Sequence, residues 1–194
     1  MTHKVLLYFC LGLACLMTSA TRPKPSIERK EARAAYALLN DIRQHPERYR
    51  QALGLNPNEP ITKTALRWDD ALARVAEARA YDMASRDYFG HVDPDGYGPN
   101  YHIHQGGYSL NPDWLTNKTT NNFESIAANY PSATDGIRAL IIGRGQTTKY
   151  HRKHLLGMDK WNHSLTDIGI GYVRMPSGSV YKSYLCVIIA KHDW

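Results

Sequence analysis

The order of the predicted elements constrains this chain most, because helical patterns come first and strands come last. Two apolar runs, 167–175 and 179–191, are separated only by Pro176-Ser177-Gly178, which is typical of a hairpin between adjacent strands. The segments before them repeat apolar residues at helical spacing. Helices followed by a strand pair favour an α+β domain over the alternating units of a parallel sheet. We therefore expect a layered α+β fold.

Helical periodicity predicts both long and short helices in the first part of the chain. Asp69 and Ser132 stand where two of the long helices would begin, and their side chains suit the N-cap position. Thr147 or Thr148 would cap the last short helix, and 123–127 is expected to form a short strand or turn. The long helices are predicted at 27–44, 70–88 and 133–142, and the short ones at 46–53, 100–105 and 149–156.

A predicted helix end followed directly by a histidine makes 82–96 the most informative stretch. Gly90 is expected to take the left-handed conformation that ends a helix, and a turn-forming Asp-Pro-Asp-Gly comes after His91. His91 would then stand at the start of a loop, held by the helix and reachable from solvent. The alternative is a loop histidine that only bonds a nearby carbonyl.

The first twenty residues have the pattern of a secretory signal peptide. Lys4 precedes an apolar run, 5–17, and Thr18-Ser19-Ala20 is a small-residue cleavage site, with cleavage expected after Ala20. The apolar run is too short to favour a spanning helix. We expect a secreted or periplasmic protein. A lipid anchor on Cys15 is less favoured, because Gly12 stands where that motif needs leucine.

Cysteine content and charge narrow the remaining chain, in which 21–29 is predicted to be a linker and 30–194 the domain. Cys186 is the one cysteine after residue 20, which excludes a cysteine zinc cluster; its apolar surroundings indicate a small buried side chain. The formal net charge of +6 falls to +5 without Lys4. No basic array interleaved with aromatics is present, so nucleic acid is not the expected partner.

Three separated polar residues, His91, Glu124 and His151, form the candidate site. Glu124 has apolar neighbours, a setting in which a carboxylate needs a partner. Two imidazoles and a carboxylate can hold zinc or a similar divalent cation with one position open, or act with water as an acid–base set. Their separations carry no local motif. His154 shares a helix face with His151, but the adjacent leucines indicate that it packs near the core.

Several segments, in order along the chain, resemble one protein family. Phe89-Gly90-His91 resembles its Ser-His segment, 123–127 its Gly-Glu-Asn-Ile-Ala, and 151–156 the Gly-His-Arg-x-Asn-Ile-Leu of bacterial members. Together they resemble the CAP superfamily, that is the SCP domains of cysteine-rich secretory proteins, antigen 5 and plant pathogenesis-related proteins. Further matching segments are 38–43, 66–76, 107–108 and 167–172.

The resemblance implies a three-layer α-β-α sandwich with a small antiparallel sheet between helices. The family's cavity carries two histidines and two acids, and His91, Glu124 and His151 match three of these four positions. The second acid is missing, because the helix at 137–142 contains none. Phe123 also replaces the family's glycine and Ser125 its asparagine. A complete catalytic site is therefore not implied, whereas a cation site with three ligands is.

Three functions follow as hypotheses. The first is an exported binding protein whose His91, Glu124 and His151 hold a divalent cation, zinc above all, beside a small or lipid-like ligand. The second is a metal-dependent, peptidase-like hydrolase in which Glu124 activates a metal-bound water; Ser125 is not the expected nucleophile, since adjacent strand residues point to opposite faces. The third is an interaction protein whose histidines only tie loops together. The partner, whether small molecule, lipid or protein, stays open.

Overall fold

The computed structural model describes residues 24–145, 147–176 and 179–192. The predicted signal peptide, its cleavage site and two residues of the predicted hairpin turn, 177–178, lie outside the described residues. So does the first part of the predicted linker. Its last part is structured, because Ser26–Ile27 pairs with the sheet and the first helix begins at Arg29.

The sheet is built around the two C-terminal strands. Strands β4 (Asp167–Arg174) and β5 (Ser183–Ala190) pair antiparallel along their full length, as the predicted hairpin requires. Strand β1 (Ser26–Ile27) pairs antiparallel with β4, and β2 (Arg67–Trp68) runs parallel to the start of β4. Strand β3 (Glu124–Ala128) pairs antiparallel with β5. The order β1-β4-β5-β3 leaves β3 at one edge.

Helices cover both faces of this sheet. On one face lies α3 (Asp70–Arg86), and on the other lie α1 (Arg29–Gln44) and α5 (Ala133–Ile142). The short helices are α2 (Arg50–Leu53), α4 (Pro99–Gln105), α6 (Tyr150–Leu156) and α7 (Lys160–His163), and 3₁₀ turns span Pro46–Arg48 and Pro112–Leu115. The expected α-β-α sandwich is confirmed.

Helix α3 lies unusually close to the sheet, because two glycines of β4 leave room for its backbone. A Cβ atom on Gly169 would stand 2.1 Å from the carbonyl carbon of Leu72, and one on Gly171 would stand 2.2 Å from the Ala76 oxygen. Alanines on the facing side of α3 permit the same approach. This contact fixes α3, which carries part of the candidate site, directly on the central strand.

The observed helix boundaries match the predicted ones where a side chain caps the helix. They differ from the predictions where a residue in the left-handed conformation ends or begins the helix. Asp69 accepts from the Leu72 N–H at 2.8 Å, and Ser132 accepts from Asp135 at 3.0 Å, as predicted. The prediction that Gly90 ends α3 is wrong. The helix stops at Arg86 because Asp87 takes the left-handed conformation (φ 57°), which aspartate tolerates.

Helix α6 also begins differently from the prediction. Neither Thr147 nor Thr148 caps it, because Lys149, with φ 46°, occupies the position before Tyr150. His151 therefore lies in the first turn of a short helix that starts from a left-handed residue. No helix in the described ranges is long and apolar enough to cross a bilayer.

Candidate functional site

His91 lies in the loop after α3, and a buried arginine holds that loop in place. The Arg79 side chain projects from α3, is 2% exposed, and donates to the carbonyl oxygens of Gly90 at 3.1 Å and His91 at 2.8 Å. It also donates to the Tyr88 hydroxyl at 2.9 Å. The His91 side chain remains 36% exposed, so its backbone is fixed while its ring reaches solvent.

Glu124, the first residue of β3, lies behind His91 rather than beside it. Its side chain has no exposed surface, and its Oε1 accepts from His91 Nδ1 at 2.9 Å. Oε2 accepts from Arg79 Nε at 3.1 Å and from the Cys186 thiol at 3.2 Å. The charge of this buried carboxylate requires partners, and Arg79 supplies one from α3.

The ionisation of Glu124 determines which ring nitrogen of His91 is free. Burial alone would raise the pKa of Glu124, but the His91 hydrogen bond and the Arg79 charge hold that pKa below its ordinary value. An ionised carboxylate only accepts, so Nδ1 of His91 must carry the proton it shares. The Nε2 lone pair of neutral His91 is then left for a ligand, and no described residue bonds to it.

His151 is held in a similar way by the next residue of the same strand. Its Nδ1 lies 2.9 Å from the Ser125 hydroxyl, which also lies 2.7 Å from Nδ1 of His154. Burial lowers the pKa of His154 to about 3, so this ring is neutral, and it is buried as predicted. Burial also lowers the pKa of His151, and protonation of the neighbouring His91 would lower it further.

The structure brings the two predicted histidines together. The ring centroids of His91 and His151 lie 6.4 Å apart. Two imidazoles on one tetrahedral zinc, with Zn–N bonds of about 2.0–2.1 Å, would have centroids roughly 5 Å apart. The pair is thus about 1 Å too wide as it stands. Among the described residues, no group of three His, Cys, Asp or Glu side chains is arranged to hold a metal ion.

The two histidines stand between two depressions of the surface. One, the polar cleft, has a volume of about 590 Å³ and is lined by Asn121, Asn122, Thr148 and Asn162 beside both histidines. The other, the edge groove, has a volume of about 750 Å³. Its lining besides the histidines includes Phe89, Ile126, Ala128, Arg138 and Tyr181. A group bound at the histidines can therefore be reached from either side.

Sequence reasoning missed the residues that support the histidines: Arg79, Ser125 and Cys186. Helical spacing places Arg79 on the apolar stripe of α3, and a charged residue on such a stripe is a signal for a buried ion pair. From the sequence, Ser125 is considered only as a nucleophile, a role that strand geometry disfavours. It is 1% exposed and bonds two imidazoles on the face of β3 opposite Glu124.

Comparisons with known proteins agree with this architecture. The sequence model of the cysteine-rich secretory protein family (CAP) matches residues 36–189. The uncharacterized protein YkwD of Bacillus subtilis is 30% identical over 132 residues, which are 68% of this chain and 40% of that protein. The chain therefore spans about two fifths of that relative.

Solved structures share the fold at low sequence identity. An extracellular protein containing an SCP domain from Bacillus anthracis has a TM-score of 0.51 and 23% identity, covering 84% of this chain and 41% of that one. An outer surface protein from Borrelia burgdorferi has a TM-score of 0.54 and 15% identity, covering 87% and 98%. Because the family match runs from within α1 into β5, the chain belongs to the cysteine-rich secretory protein (CAP) family.

Proposed function

We propose that this CAP domain is an exported binding module whose His91 and His151 hold a divalent cation, zinc above all, through their Nε2 atoms. The observation that carries the proposal is the pairing of each Nδ1 with a polar side chain of β3, Glu124 for His91 and Ser125 for His151. Metal-binding histidines are commonly oriented by such a bond at the other nitrogen. The extracellular and outer-surface descriptions of the structural relatives support export.

The donor set fits a weak, open site rather than a closed structural one. Two imidazoles are available, and Glu124 serves as the group that positions His91. The remaining coordination positions would be filled by water or by a small ligand that enters through the polar cleft. The bound cation would supply a Lewis-acidic charge to that ligand. A shared ion would require the two rings to approach by roughly 1 Å, and the exposed side of the His91 ring leaves room for that shift.

The hydrolase alternative has less support from this geometry. A general base must reach the proton that it removes. Glu124 has no exposed side-chain surface, and both of its oxygens already accept hydrogen bonds. Ser125 is equally enclosed.

Zinc titration by calorimetry tests the proposal. His91→Ala and His151→Ala should each weaken zinc binding at least tenfold, whereas the matched control His104→Ala, an exposed histidine on α4, should bind as the parent does. Glu124→Gln should weaken binding by about 10- to 100-fold through loss of orientation. Equal zinc affinity in the parent and in the two site variants would exclude the cation site.

A further inference from the structure

Strand β3 is an edge strand whose outward backbone groups can be identified from its register. The N–H of Ile189 donates to Phe123 O at 3.0 Å, and the N–H of Asn129 donates to Ser183 O at 3.0 Å. Antiparallel pairs alternate between bonded and non-bonded residues. With Glu124 opposite Ile188, odd-numbered residues of β3 bond to β5, and even-numbered residues direct their N–H and C=O away from it.

At one end of β3, a side chain makes the hydrogen bonds to the outward N–H and C=O groups that a neighbouring strand would make. The side-chain amide of Asn121 accepts from the Glu124 N–H at 2.9 Å and donates to the Glu124 carbonyl at 3.1 Å. The next outward residues are Ile126 and Ala128. In the part of the chain that the structure describes, no side chain or loop bonds to their N–H or C=O groups. Ile126 is only 6% exposed and Ala128 is half-buried, so water has least access to the groups of Ile126.

The edge groove runs along these unpaired groups. Both faces of β3 contribute to its lining, since Ile126 and Ala128 point to the α3 side and Ala127 to the α5 side. Helix α5 forms one wall, and Phe89 and Tyr181 form the other. The groove therefore borders the edge of the strand itself rather than one face of the sheet.

The walls of the edge groove also carry positive charge. Arg138 and Arg144 line it, and the described chain gives neither an ion pair with a carboxylate. The one acid of the lining, Asp135, is turned to the helix cap, where it accepts from the Ser132 hydroxyl at 2.6 Å. An occupant with carboxylate groups complements this wall.

We propose that the edge groove binds an extended, acidic peptide, which adds to β3 as a further strand. Its backbone pairs with the N–H and C=O groups of Ile126 and Ala128, which stand about 7 Å apart as alternate residues of a strand do. Main-chain bonds to a sheet edge supply affinity in this mode, and side-chain pockets supply specificity. The peptide passes His91 and His151 at the end of the groove.

A selection with peptides tests the proposal, and it is run in EDTA so that its result is separate from that of the cation site. Random heptapeptides displayed on phage are selected on the protein, and enriched sequences are synthesised and measured by fluorescence anisotropy. We expect acidic peptides. Methylation of single backbone nitrogens should weaken binding at least tenfold at alternate positions and leave the positions between them nearly unchanged.

Variants of β3 give a second reading. Ala128→Pro removes one outward N–H without touching the bonds to β5, a position where an edge strand accepts proline. It should weaken binding of the selected peptides at least fivefold. Should Ala128→Pro fail to fold, amide exchange in the parent replaces it: the peptide should slow exchange at Ile126 and Ala128.

Three results would overturn the proposal. The first is the absence of any enriched peptide. The second is peptide affinity that is unchanged by backbone methylation and increases only with peptide hydrophobicity. Competition by a long-chain fatty acid would then assign the groove to a lipid-like ligand. The third is unchanged exchange at the two outward amides when peptide is bound.

Discussion

Replacing Arg79 with methionine should destabilise the protein severely, because it leaves a buried carboxylate without its counter-charge. Arg79 and Glu124 are 2% and 0% exposed at their side chains and lie 3.1 Å apart. Removing one partner of a buried pair typically costs about 3–5 kcal/mol. The methionine chain fills much of the vacated volume, so this cost reflects charge and hydrogen bonds more than a cavity.

A surface ion pair in the same protein provides the matched control. Arg29 lies 2.9 Å from Glu77, closer than the buried pair, but the Arg29 side chain is 75% exposed. Solvent and salt screen an exposed pair of this kind, so Arg29→Met should leave the free energy of unfolding nearly unchanged. The comparison separates the effect of burial from that of distance. The buried pair has the longer contact, yet its loss is expected to lower the free energy of unfolding more.

Urea unfolding measures the free energy of unfolding of each variant and the coupling energy between Arg79 and Glu124. The set comprises Arg79→Met, Arg29→Met, Glu124→Gln and the double variant Arg79→Met/Glu124→Gln. The double variant should be less destabilised than the sum of its singles by about 2–3 kcal/mol, since neither charge is left alone. In Arg79→Met, the pKa of Glu124 should rise, because burial is then opposed mainly by the His91 hydrogen bond. Acidification from pH 7 should therefore narrow the difference in free energy of unfolding between the variant and the parent. A cost of Arg79→Met no larger than that of Arg29→Met would show that the buried charge of Glu124 does not need Arg79.

Two further predictions concern packing and pH. Gly171→Ala should cost at least about 3 kcal/mol in free energy of unfolding, because its Cβ meets backbone of α3, whereas Gly90→Ala, whose Cβ would stand 3.6 Å from the Val92 oxygen, should change it by less than about 0.5 kcal/mol. A costly Gly90→Ala would restore the view that this glycine ends the helix. With the folded pKa of His154 at about 3 and an unfolded value near 6.5, the unfolded chain binds the extra proton, so stability falls as pH decreases between these values. Between pH 6.5 and 5, urea unfolding in EDTA should show the parent losing about 2 kcal/mol more than His154→Gln; parallel pH profiles would contradict the assignment.

The elements of this fold were predictable where one residue and its near neighbours decide the outcome. Asp69 and Ser132 cap helices with their own side chains, and apolar periodicity marks α3, α5 and the two C-terminal strands. The left-handed residues were not predictable. Asp87 and Lys149 take that conformation at helix ends, where neither apolar periodicity nor a side-chain cap marks the boundary.

For the candidate site, too, the sequence predicted the residues, whereas tertiary contacts decided how they are arranged. Residue types and a family resemblance selected His91, Glu124 and His151, and the structure places the two imidazoles side by side. Their roles depended on contacts between segments far apart in the chain. Arg79 reaches Glu124 across 45 positions, and the ion pair that they form is buried.

The sequence by itself determined where the long helices and the two C-terminal strands lie, because periodicity and capping act within a few residues. Only the tertiary structure decided which nitrogen of each histidine is free and which backbone groups of β3 lack a partner. Both depend on the order of strands in the sheet and on the helix packed against it. A hydrogen bond between two distant segments does not change the apolar periodicity of either segment, so the sequence pattern does not predict it.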